Sequence, residues 1–97
     1  MSKCSKLLRK AKASRKSFRF SDLCRLVDCW GYELRPIKRR GAHIRIYKHT
    51  ELKLPATEAM LNLQPDKKKR DLARPYQVNQ VLDAIAYISS QFPNYEP

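Results

Sequence analysis

Five stretches of this chain carry a regular spacing of apolar and polar positions. Leu23, Leu26, Val27 and Trp30 stand at i, i+3, i+4 and i+7, one stripe of an amphipathic helix. Ser21 is the expected N-cap, Asp22 suits the first turn, and Gly31 is a natural stop, so the spacing predicts a helix over 22–30. Residues 32–39 read as a strand with Tyr32, Leu34 and Ile37 as apolar members, and Pro36, lacking an N–H, places it at a sheet edge. After a turn at Gly41, residues 43–49 alternate. Ile44 and Ile46 are predicted to face the core, with His43, Arg45, Tyr47 and His49 on an opposite, polar and basic face.

Residues 50–58, containing Pro55, read as a loop. Residues 60–64 alternate again with Leu61 and Leu63 inward, and Pro65 ends that strand. A polar, basic loop runs from Asp66 to Arg74. Pro75 fits the first turn of a last helix whose apolar stripe is Val78, Val81, Leu82, Ile85 and Ile88. The order is helix, three antiparallel strands, helix. The fold class is α+β, with helices on one face of the sheet and the other face open. Residues 1–17 read as a basic arm with room for a short helix over about 4–13 along Leu7, Leu8 and Ala11. Residues 18–91 form the folded domain, and 92–97, with two prolines, a loose tail.

Charge changes the picture more than length does. The chain has 97 residues, enough for one modest core, and carries 21 Lys+Arg against 9 Asp+Glu, a formal net charge of +12. Solubility needs only about 2 to 8 net charges on a small domain. The surplus points to a polyanion, nucleic acid before an anionic membrane surface, because each cation set against a phosphate releases condensed counterions. No apolar stretch approaches the ~20 residues needed to span a bilayer, and no apolar region follows the basic N-terminus as in a secretion signal. Cys4, Cys24 and Cys29 fit no zinc spacing and are expected as free buried thiols in a reducing cytoplasm.

Candidate chemistry is sparse. The sequence has no glycine-rich phosphate loop, paired carboxylates or Cys/His cluster, and its scattered acids argue against a metal-dependent nuclease centre; neither metal nor cofactor is expected. One histidine stands among cations: the segment from Lys38 to Lys48 holds Lys38, Arg39, Arg40, His43, Arg45 and Lys48. RNA supplies its own nucleophile, the 2′-OH, so a protein needs a group to take that proton and cations to stabilise the phosphorane. The ordinary pKa of histidine suits the first task, and neighbouring positive charge disfavours the imidazolium. On spacing alone, a surface histidine that merely contacts phosphate is the plainer reading of His43, and His49, near the strand end, is a weaker candidate. The run Lys67, Lys68, Lys69 and Arg70 is a further RNA-binding candidate.

Four segments carry a family resemblance. They are Phe20-Ser-Asp-Leu-Cys-Arg-Leu-Val-Asp-Cys-Trp-Gly-Tyr-Glu, Arg40-Gly41-Ala42-His43, Leu61-Asn62-Leu63-Gln64-Pro65, and Arg74-Pro75-Tyr76-Gln77-Val78-Asn79-Gln80-Val81. In this order they resemble the HicA-type toxins of toxin–antitoxin pairs and cover most of residues 18–90. The resemblance implies a double-stranded-RNA-binding-domain-like fold and a ribosome-independent mRNA interferase whose essential histidine maps to His43. It also implies a HicB-like antitoxin partner. Ala42 stands where that family usually has Ser. The resemblance favours a catalytic His43, with Arg45, Arg40 and Lys38 holding the scissile phosphate, in a cytoplasmic protein that is monomeric when free. The alternative is a catalytically weak or inactive RNA-binding module of the same fold. A third class is an interaction protein whose basic surface docks an acidic partner.

Overall fold

The computed structural model describes residues 3–36 and 44–95. Its elements are α1 (Lys3–Ala13), α2 (Phe20–Cys29), β1 (Tyr32–Arg35), β2 (Arg45–His49), α3 (Ala56–Ala59), β3 (Met60–Leu63) and α4 (Pro75–Gln91). The predicted α-β-β-β-α order holds, in an antiparallel sheet of order β1-β2-β3 with one open face. One helical turn, α3, forms at the end of the expected 50–58 loop, directly after Pro55, and runs one residue past it.

The helix stripes are the predicted ones. Leu23, Leu26 and Val27 of α2 and Val78, Val81 and Ile88 of α4 are fully buried, each contributing roughly 1.5–3 kcal/mol of apolar transfer. Helix α2 starts two residues earlier than Ser21 would cap it. Arg19 occupies the N-cap position with no side-chain cap, and the Phe20 N–H donates instead to the Asp71 carbonyl at 2.8 Å. Gly31 ends the helix at φ +91°, and a Cβ there would run into the Tyr95 hydroxyl and the His49 ring.

The facing of β2 is the reverse of the expectation. Tyr47 and His49 are buried at 3% and 4% exposure, while Ile46 is half-buried on the open side. Registers Leu34↔Tyr47↔Leu61 and Tyr32↔His49 put these residues on the helix-covered face, and Glu33, Arg35, Ile46, Lys48, Met60 and Asn62 on the open one. A period-two strand has only these two choices. Covering Tyr47 and His49 buries two rings, of which the Tyr47 phenol is larger than an isoleucine side chain, on the face that also carries Tyr32, Leu61 and Leu63. Polar partners complete the choice. The His49 Nε2–H donates to the Trp30 carbonyl at 2.7 Å, and its Nδ1 accepts the N–H groups of Glu51 at 3.2 Å and Leu52 at 3.1 Å.

Residues 3–13 take the short helix for which the basic arm had room, and residues 92–95 are more closely packed than a loose tail. The basic arm is an eleven-residue helix packed on α2 and α4, with Ala11 fully buried and Leu7 and Leu8 against the core. The presumed loose tail folds back as far as Tyr95, whose ring meets Trp30 at 6.3 Å and His49 at 5.6 Å between centroids. The expectation of free thiols also fails. Cys4 and Cys29 form a disulfide across the α1–α2 contact, Cα to Cα 5.8 Å, and only Cys24 is free. Nothing in the spacing of a local sequence shows that α1 docks on α2, which is what brings those two sulfurs together.

Candidate nucleic-acid interface

The basic loop between β3 and α4 is built, not slack. Pro65 cannot continue the ladder of β3, and the chain turns at Asp66, whose Oδ1 accepts the N–H groups of Lys68 at 2.9 Å and Lys69 at 3.1 Å. Those two bonds hold the Asp66 carboxyl below its ordinary range. The Asp66 N–H donates to the Leu72 carbonyl and the Leu72 N–H to the Lys69 carbonyl, both at 2.9 Å, closing the loop on itself. Bridges Arg19↔Leu72 and Pro65↔Ala73, with the Ala73 N–H on the Phe18 carbonyl at 2.8 Å, then sew it to the entry of α2.

This sewing creates two cationic clefts on either side of one loop. The first, about 810 Å³, lies between Arg19 and Phe20 and the loop residues Lys68, Lys69, Arg70 and Asp71. The second, about 430 Å³, lies between Ile44, Pro65, Asp66, Lys67, Arg70 and Arg74. Arg70 lines both. Six cations therefore share a surface with two carboxylates, Asp66 and Asp71. The ion pairs found among the described residues, Lys10–Asp22 at 4.0 Å and Arg25–Asp22 at 3.9 Å, use none of the six. Arg74 is pre-positioned: its Nε donates to the Pro65 carbonyl and its Nη1 to the Tyr76 hydroxyl, both at 3.3 Å.

The predicted site residues divide. Lys67, Lys68, Lys69 and Arg70 come together at the clefts. Arg45 is exposed at the start of β2, paired with Leu63 and next in sequence to Ile44 of the second cleft wall. Its charge acts on Tyr47 and Cys24, although burial, the larger effect, pushes Tyr47 up to about 12 and raises the Cys24 thiol. Lys48 faces the open side of the sheet, opposite Met60 and Glu33, and lines neither cleft. His43, Lys38, Arg39 and Arg40 lie outside the described residues. His49 has no nitrogen left for chemistry, since Nε2 and Nδ1 are both engaged by backbone and the ring is buried.

Arg19 and Arg74 were not among the residues singled out from sequence. They join the site only through the bridges to Leu72 and Pro65, contacts between segments more than 40 residues apart in one case. The Pro75 that starts α4 was the one local signal, because the residue before it becomes the helix N-cap and is held at the cleft rim. Among the described residues no group of three or more His, Cys, Asp and Glu side chains is placed to hold a metal ion. Compared with known protein families, curated proteins and solved structures, the chain matches none.

Proposed function

We propose that this protein binds RNA along the two clefts and cleaves it with His43 as the proton-transferring group, acting as the mRNA interferase toxin of a toxin–antitoxin pair. The observation that carries the reading is the shared wall at Arg70, which joins two basic clefts into one track ending at Ile44, next in sequence to His43. A track of six cations, five of them on the hydrogen-bonded Asp66–Arg74 loop and Arg19 sewn beside it, suits a phosphate backbone, because little ordering is left to be done on binding. The sequence resemblance to HicA-type toxins supports the catalytic part.

In this reading the RNA 2′-OH loses its proton to the His43 imidazole and attacks the adjacent phosphorus. Arg45 stabilises the charge that develops on the phosphorane oxygens. The 5′-oxygen leaves and takes a proton, so the products are a 2′,3′-cyclic phosphate and a 5′-hydroxyl. A HicB-like antitoxin would compete for the same surface.

The test is mixed-sequence RNA incubated in EDTA with wild type or His43→Ala, followed by fragment length and end analysis. Cleavage by wild type alone, leaving cyclic phosphate ends, is expected. Equal cleavage by both would remove His43 from the mechanism. Intact RNA with a clear gel shift by both would leave the binding module, with Ala42→Ser as the next variant.

A further inference from the structure

We propose that Cys4–Cys29 is a thiol–disulfide exchange site, entered through the groove between α1 and α2, whose ligand is a small thiol carrying carboxylates. The two sulfurs belong to facing helices: Cys4 sits in the first turn of α1 and Cys29 is the last residue of α2. Both residues are half-buried, so the pair is held by packing yet open at one edge. That edge is a groove of about 500 Å³ with Leu7 and Cys29 in its lining and Lys3, Lys6, Lys10 and Arg25 around it. Its two carboxylates do not cancel the cations, because Asp22 is already shared by Lys10 and Arg25 and only Asp28 remains.

Charge and chemistry agree on the ligand. A thiolate entering the groove attacks the Cys29 sulfur, the Cys4–Cys29 bond breaks, and Cys4 departs as a thiolate in the first turn of a helix, next in sequence to Lys3, a setting that stabilises the anion. A second thiol attacks the mixed disulfide at its small-molecule sulfur and releases the Cys29 thiolate. Two small thiols become one small disulfide, two electrons pass to the protein, and each protein thiolate takes a proton. The reverse reaction uses the small disulfide as oxidant.

The bond controls whether α1 stays docked. An isolated helix of eleven residues is marginal in water, and α1 buries only Ala11 completely. Reduction opens the link that spans 25 residues of chain and releases a helix carrying Lys3, Lys6, Arg9, Lys10 and Lys12. A basic segment would then switch between a packed helix and a free arm according to the thiol balance around it.

Equilibrating the full chain with reduced or oxidised glutathione, then alkylating and mapping peptides by mass, tests the site without reference to RNA. Oxidised glutathione should yield a Cys4–Cys29 crosslink with Cys24 alkylated; failure to form that crosslink would overturn the proposal. On reduction, amide exchange over residues 4–13 should rise at least about tenfold while the Val78–Ile88 amides stay protected; unchanged α1 exchange would overturn the release. Lys3→Glu/Lys6→Glu should slow reduction by glutathione about fivefold at low salt and speed reduction by cationic cysteamine. Equal rates with both thiols in both proteins would dismiss the groove as the recognition element.

Discussion

The imidazole of His49 is locked between Trp30 and the chain that follows it, with its Nε2–H on the Trp30 carbonyl at 2.7 Å. Because Nδ1 accepts two backbone N–H groups, the tautomer is fixed and the ring joins the end of α2 to the turn after β2. Tyr32 and Tyr95 pack edge-on against the same ring, 4.9 Å and 5.6 Å between centroids. One of the two histidines in this chain is therefore a structural residue.

His49→Phe keeps an aromatic ring, somewhat larger than the imidazole, and leaves three backbone groups without their partner. It should destabilise the fold by about 3 kcal/mol, read as a lower urea midpoint. Cleavage of RNA by the folded fraction should be unchanged, in contrast to His43→Ala. A midpoint within experimental error of wild type would mean that these hydrogen bonds are replaced by water.

Gln77 closes the outer edge of β3 from the first turns of α4. Its Oε1 accepts the Gln64 N–H at 2.9 Å and its Nε2 donates to the Asn62 carbonyl at 3.2 Å, so a side-chain amide stands in for a fourth strand. Gln77→Leu has similar volume but no amide, and should cost about 2 kcal/mol in chemical denaturation. Gln77→Glu should cost at least as much, because a carboxylate then faces the Asn62 carbonyl.

Burial raises the hydroxyls of Tyr32, Tyr47 and Tyr95 above their ordinary value, Tyr47 to about 12. A folded-state value above the unfolded one gives stability that is complete below the unfolded pKa and is lost as pH rises through the folded one. The melting temperature should hold its tyrosine contribution up to about pH 10 and fall above it, with the Tyr47 share lost by about pH 12. Tyr47→Phe should flatten part of that fall when both proteins are melted across this range. Parallel curves would show that Tyr47 does not contribute.

Arg70 lines both clefts and Lys48 lines neither. Arg70→Ala should weaken single-stranded RNA binding about tenfold at low salt and reduce the log–log salt slope by about 0.7. Lys48→Ala should change neither. Equal effects of the two substitutions would indicate diffuse attraction by net charge in place of a defined track.

Local patterning alone determined the order of α2, the three strands and α4, the stripes of α2 and α4, the inward facing of Leu61 and Leu63, and the break at Pro65. Each of these follows from a periodicity of 3.6 or 2 or from a residue that cannot continue a ladder, and such terms act within a few residues. The basic run Lys67–Arg70 was legible for the same reason.

Tertiary structure decided what depends on contacts between distant segments. Which face of β2 is buried turned on Tyr32 and Leu61 across the sheet and on partners for His49 found at Trp30, Glu51 and Leu52. The pairing of Cys4 with Cys29, the return of Tyr95 and the entry of Arg19 and Arg74 into the clefts each required two stretches to meet in space. An alternating strand reads equally well on either face. Only the neighbours that pack against it and the hydrogen bonds they complete choose between the two.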